Sequence, residues 1–161
     1  RELNIINLNV SSLVVLTKCF LQDMVRKQEG KILNLASIAS IFPGPWQSVY
    51  HGTKAFVLSF TEALREEVKG EGITVTALLP GATDTDFFEK ADMTESKIVQ
   101  DPEKLSDPAE GAKDGYEALM SGKDKVVSGM KNKMQAFLSN MMSEEKMAQQ
   151  MYKQQEPVSK S

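Results

Sequence analysis

The chain has 161 residues, about one domain's worth, with 25% charged and 41% hydrophobic residues, an ordinary balance for a globular protein. Its formal net charge of -3 argues against nucleic acid as the main partner, because phosphate contact needs clustered Lys and Arg. No unbroken run reaches the ~18 apolar residues of a membrane span, and Cys19, the only cysteine, excludes an intrachain disulfide and a thiolate metal cage.

A single cysteine fits a reducing compartment, so a cytoplasmic location is expected. The first residue is Arg1 rather than Met, which leaves open what precedes it. Residues 2–27 read as one amphipathic helix, with Leu3, Ile6, Val10, Leu13, Val14, Phe20, Leu21 and Met24 recurring at steps of three and four. Arg26 and Lys27 suit its last turn, and Gly30 reads as its stop. Residues 31–36 form a short apolar strand, followed by a Ser-, Pro- and Gly-rich loop over 37–47.

Ser48 is placed as N-cap of a helix over about 49–69, with Val49, Phe56, Phe60, Ala63, Leu64 and Val68 as its core face. Residues 73–79 are rich in β-branched side chains and predict a second buried strand, ended by Pro80-Gly81. The stretch 82–106 is polar and irregular, with a short helix expected near 86–98; connections of that length are commonly lids or binding loops. Asp107-Pro108 opens a helix to Met120, Lys125–Ser128 reads as a third strand, and Met130 starts a further helix. Ser143 caps a last helix, and the tail from Gln155 is polar and expected to be disordered. Strands alternating with helices predict an α/β fold: a Rossmann-like parallel sheet with helices on both faces.

Tyr50 and Lys54 stand four apart on one predicted helix and therefore share a face. A free tyrosine titrates near pH 10, so moving it near 7 needs ~3 pH units, or ~4 kcal/mol, of preference for the phenolate. An ammonium one helical turn away supplies part of that, and a cationic ring nearby supplies more. Ser37 lies at the carboxyl end of the first strand, and Pro80-Gly81 breaks the second strand at the same end, where open α/β sheets bind ligands. Phe42, Trp46, Phe87 and Phe88 flank the two loops that would enclose a substrate, either lining a pocket or packing those loops shut.

His51 is the only histidine and reads as an exposed or packing residue, since no G-x-S-x-G elbow accompanies it. Cys19 reads as inert filler near the apolar face of the first helix, and the methionines from Met130 to Met151 as core packing. Asp84 and Asp86 lack further ligands nearby, so no metal site is expected.

Asn9 in LNV, Ser37 in NLASIAS, Tyr50 and Lys54 in YHGTKA, and PGATDT from Pro80 to Thr85 together resemble the short-chain dehydrogenase/reductase family over residues 2–85. The resemblance implies Tyr50 as general acid/base and Lys54 as a ribose ligand that lowers the tyrosine pKa. It implies Ser37 as the group that orients the substrate oxygen, and Asn9 as holder of a water relayed to Lys54. Pro80, Gly81, Thr83 and Thr85 would contact the nicotinamide carboxamide. The implied cofactor is NAD(P), with NADP as the working expectation, and the substrate a small carbonyl or alcohol. The helices 2–27 and 49–69 resemble the pair through which the family dimerises, so a homo-oligomer is expected.

The chain departs from the family in lacking any Gly-rich pyrophosphate turn. We therefore expect the last three strands of a doubly wound sheet: residues 1–129 as the C-terminal part of the Rossmann-like domain, 130–154 as a helical extension and 155–161 as a tail. On this reading the chain is a fragment, inactive alone, with an unpaired edge on the 31–36 strand. The alternative is a non-catalytic module of the same fold that acts through dimerisation.

Overall fold

The computed structural model describes residues 2–90, 100–101, 105–139 and 141–156. The first helix begins as α1 (Glu2–Ile6), widens into a π turn over Asn7–Ser11 and continues as α2 (Ser12–Lys27). The predicted helix 2–27 is thus present as one continuous element. Its stop is Gln28, in the left-handed region at φ 53, whose N–H reaches the Met24 and Val25 carbonyls. Gly30 instead opens β1 (Gly30–Leu35), where a Cβ would come within 2.6 Å of the Met24 side chain. Ser37 then caps a 3-10 turn over Ile38–Ile41.

Helix α3 spans Ser48–Glu67, and Gln47, not Ser48, stands at the N-cap, with no side-chain cap bond. Strand β2 covers Ile73–Leu79 as predicted, and α4 is the single turn Phe87–Lys90. The rest of the helix expected near 86–98 falls on residues 91–99, outside the described residues. Helix α5 (Pro108–Met120) starts where the sequence places it, the Asp107 carboxylate accepting the Ala109 N–H at 2.8 Å. Strand β3 (Lys125–Val127) is followed by α6 (Met130–Ser139) and α7 (Glu144–Gln155), the latter capped by Ser143. The expectation for the tail falls mostly on residues 157–161, also outside the described residues.

The three strands form one parallel sheet in the order β1-β2-β3, with Gly30 opposite Ile73 and Ala77 opposite Lys125. Parallel strands need crossovers, and the helices supply them on both faces. Alternation along β2 assigns the faces. Val75, Ala77 and Leu79 cluster with Val57, Leu58, Leu64 and Val68 on the α3 side. Leu78 turns the other way, toward Gly115 of α5, where a Cβ would sit 2.8 Å from it. Gly115 therefore lets α5 approach the sheet closely.

Two polar links tie α3 to the sheet. Asn34 Nδ2, buried in β1, donates to Thr61 Oγ1 at 3.0 Å. Arg65 donates to the carbonyls of Val75 at 3.0 Å and Gly122 at 2.9 Å.

The buried face of α3 differs from the expected one. His51, Thr53, Val57, Leu58, Thr61 and Leu64 are buried, whereas Phe56 is 39% exposed and stacks on Phe60 with centroids 5.8 Å apart. The helix is apolar on two faces, and its β-branched threonines, absent from the expected core face, complete the buried one. The methionines also divide. Met147 and Met151 are buried, whereas Met130, Met134 and Met141 are exposed. Cys19 is exposed rather than filler.

By length and composition the helix Glu2–Lys27 is apolar enough to cross a membrane, a property that a count of unbroken apolar runs missed because Asn, Ser and Thr interrupt it. One side of this helix packs against α3 and β1, and most of its apolar surface stays exposed.

Candidate active site

The site forms where β1 and β2 end side by side. Ile38 N–H donates to Pro80 O at 2.9 Å, stitching the first residues beyond each strand together. Ser37 sits in that seam, buried, with its hydroxyl accepting the Ala39 N–H at 3.1 Å and lying 3.4 Å from Pro80 O. Its own N–H reaches Ser40 Oγ at 3.2 Å, which closes a capping box. The serine is therefore held in place by backbone on both sides, and its hydroxyl faces the Tyr50 phenol closely enough to favour the phenolate.

Tyr50 and Lys54 lie one turn apart on α3 and do meet, with Lys54 Nζ 5.9 Å from the centroid of the Tyr50 ring. The ammonium is anchored by donating to Leu35 O, the last carbonyl of β1, at 2.8 Å. Burial lowers the Lys54 pKa to about 8. The tyrosine contradicts the expectation of a depressed pKa: burial raises it above its ordinary value, and the Ser37 hydrogen bond offsets this only in part. The reason is geometric. Lys54 spends a proton on Leu35 O and lies over the ring face, and the Phe87 ring covers the phenol from another side at 5.5 Å.

Asn9 belongs to the π turn, a feature that recurs at functional sites. Its Nδ2 donates to Thr53 Oγ1 at 3.0 Å, and Thr53 in turn donates to Tyr50 O at 2.7 Å. Asn9 thus reaches α3 between Tyr50 and Lys54. Thr53 was missed in the sequence, although its place three residues after Tyr50 puts it on the same side of the helix.

The turn after β2 comes to the same end of the sheet. Thr83 Oγ1 donates to Gly81 O at 3.1 Å, and Thr85 Oγ1 accepts the Phe87 N–H at 3.3 Å. Gly81 is pressed by Asn132 of α6, to which a Cβ would come within 2.4 Å. A parallel bridge between Thr83 and Ser106 pinches the base of the long connection. Of the four aromatic residues, Phe87 reaches Tyr50 and packs edge-on against Phe88 at 5.3 Å. Phe42 turns away into a buried cluster with Met147 and Met151, and Trp46 stacks on Tyr152 at 5.2 Å. These two rings close the loop against α7 instead of lining open space.

The pattern of the short chain dehydrogenase family matches residues 3–96, more than half of the chain. The chain belongs to the short chain dehydrogenase family. Its relatives include human 17-beta-hydroxysteroid dehydrogenase type 3, 39% identical over 82 residues, which are 51% of this chain and 26% of that one. Another is the very-long-chain 3-oxoacyl-CoA reductase of Rattus norvegicus, 43% identical over 76 residues, 47% of this chain and 24% of that one. Among solved structures, a short-chain dehydrogenase from Sphingobium yanoikuyae in complex with NADPH superposes with a TM-score of 0.71 at 25% identity, over 84% of this chain and 52% of that one. The chain thus spans about a quarter of these two curated relatives and about half of that structure. The three parallel strands and their helices are the dehydrogenase family's Rossmann-like architecture.

Proposed function

We propose that this chain carries the acid/base half of an NAD(P)-dependent oxidoreductase that interconverts an alcohol and a carbonyl. The observation that supports it most is the convergence of Ser37, Tyr50 and Lys54 at the carboxyl ends of β1 and β2, with the serine hydroxyl facing the phenol. The relatives named above are oxidoreductases by name, and one structural neighbour is described with NADPH.

The residues present fit the nicotinamide end of the cofactor. Lys54 offers a desolvated ammonium beside the phenol, and the Gly81–Thr85 turn offers backbone groups and two hydroxyls at the same edge. No Gly-rich turn for the pyrophosphate stands in the sequence, so we place that half on residues outside this chain.

In the proposed reaction Ser37 orients the substrate oxygen by hydrogen bonding. Tyr50 Oη gives that oxygen a proton in reduction and takes one in oxidation. When bound, the nicotinamide supplies or accepts the hydride. Lys54 holds the ribose and places positive charge beside the phenol. Asn9, through the π turn and Thr53, fixes the helix that carries both. The raised phenol pKa suits a proton donor at neutral pH; the phenolate form would require cationic charge beyond what Lys54 gives.

Tyr50→Phe in the longest active form of the protein is expected to lower kcat by at least about a hundredfold and to leave NAD(P) binding, followed by cofactor fluorescence, unchanged. Retained turnover would sink the assignment.

A second reading, a module acting through self-association, draws on the exposed apolar side chains Leu3, Leu8, Val15, Leu16 and Phe20 of the first helix and Phe56 of α3. It is compatible with the first, since a dimer through these helices would leave the Tyr50 face free.

A further inference from the structure

His51 follows Tyr50 directly and is 5% exposed. Its Nδ1 lies 2.9 Å from Phe42 O, and its Nε2 lies 2.9 Å from Gln155 Nε2 at the end of α7. A carbonyl can only accept, so Nδ1 carries the proton and Nε2 presents a lone pair. The Gln155 amide N–H then donates to that lone pair. The neutral Nδ1–H form is the tautomer that makes both bonds at once, and burial disfavours the charged imidazolium.

The amide of Gln155 is turned at a cost. Its Oε1 is buried and makes no hydrogen bond among the described residues. Turning the nitrogen toward His51 is what leaves the oxygen without a partner, so the imidazole decides the orientation of the amide.

The loop between Ser37 and Gln47 is pressed onto this pair. A Cβ on Gly44 would come within 2.1 Å of the His51 ring, so the backbone itself touches the imidazole. Phe42, Met147, Met151 and Ile38 form an apolar cluster alongside, and Trp46, in the left-handed region at φ 70, meets Tyr152 of α7. Ser37, at the start of this loop, faces Tyr50 closely enough to hold its pKa down in part.

We propose that His51 is a positioning residue: through Phe42 O and Gln155 it couples the loop that carries Ser37 to α7, so the last helix of the chain sets how Ser37 meets Tyr50. The proposal rests on the roles given to Ser37 and Tyr50 above. Nothing in it requires His51 to touch substrate. Its effect is on the position of the serine hydroxyl, and a misplacement of about 1 Å at a reacting centre costs up to about a hundredfold in rate.

The chain's single histidine and single tryptophan make the test direct. In the 161-residue chain, the imidazole 15N resonances are expected to show a protonated Nδ1 and a bare Nε2, and an Nε2–H tautomer would overturn the proposal. Gln155→Leu is expected to raise acrylamide quenching of Trp46 about twofold; quenching equal to wild type would count against it.

In the longest active form, Gln155→Leu and His51→Asn, which keeps a donor for Phe42 O but cannot reach Gln155, are expected to lower kcat/KM about tenfold with cofactor affinity unchanged. His51→Gln, which reaches Gln155 but not Phe42 O, should do the same. Wild-type kcat/KM in all three variants would overturn the coupling. A merely structural role predicts a lower unfolding midpoint with normal kcat/KM at low temperature. Active Tyr50→Phe would instead remove the functional reading, and the tautomer would still report on the His51–Gln155 pair.

Discussion

The two sides of the sheet are finished to different degrees. Strand β2 has a hydrogen-bonded neighbour on each edge, and Val75, Ala77 and Leu79 are 0–1% exposed. Among the described residues strand β1 pairs only with β2, and Leu33 and Leu35 are 38% and 56% exposed. Beside that free edge a groove runs between α2 and β1, lined by Leu13, Leu16, Phe20, Met24 and Ile32. The C-terminal side, by contrast, is closed by α7 packing over the loop of residues 37–47. An unpaired parallel strand with leucines on it is unusual for a protein at rest, because such edges recruit other strands. Ser37, Tyr50 and Lys54 lie between these two regions, at the carboxyl ends of β1 and β2.

This contrast can be broken most sharply at β2. Leu79→Ala is expected to cost about 2–5 kcal/mol, because a buried side chain is lost and a cavity remains; urea unfolding measures it. A loss below about 1 kcal/mol would mean that β2 is not the centre of the core. A smaller effect belongs to Lys54, at the boundary. Burial lowers its pKa to about 8 in the fold from 10.5 in the unfolded chain, so between those values the unfolded chain holds the extra proton. Stability should therefore rise with pH from about 8 to 10.5 relative to Lys54→Met, which has no such proton to lose. Parallel pH profiles for the two proteins would contradict the burial of the ammonium. The smallest effect is expected on the open edge, where Leu35→Thr should stay within about 0.5 kcal/mol in this chain. If it destabilises by more, the edge is already covered, for instance by a second copy.

The sequence carried much of this arrangement. Strand positions, the Asp107 and Ser143 caps and the alternation of strand and helix follow from local chemistry, and the structure reproduces them. Tyr50 and Lys54 were legible because four residues make one helical turn. Other features were not. Helix α3 has phenylalanines on one face and Val57, Leu58 and Leu64 on another, so periodicity could not say which meets the sheet; Asn34 bonding Thr61 is the long-range contact that decides it. The direction of the Tyr50 shift depended on how deeply the fold buries the phenol, which spacing does not encode. His51 looked unremarkable because its partner lies 104 residues away.

The parallel bridge between Thr83 and Ser106, with Asp84 N–H donating to Ser106 O at 3.0 Å and Ser106 N–H to Ala82 O at 2.8 Å, fixes both feet of the connection that rises past Tyr50. The closure cost of a flexible loop grows slowly, by about 0.6 kcal/mol per doubling of length. The sheet therefore places little demand on the length of that connection. Such a clasp separates the connection from the sheet: its length can vary without disturbing how β1 and β2 end.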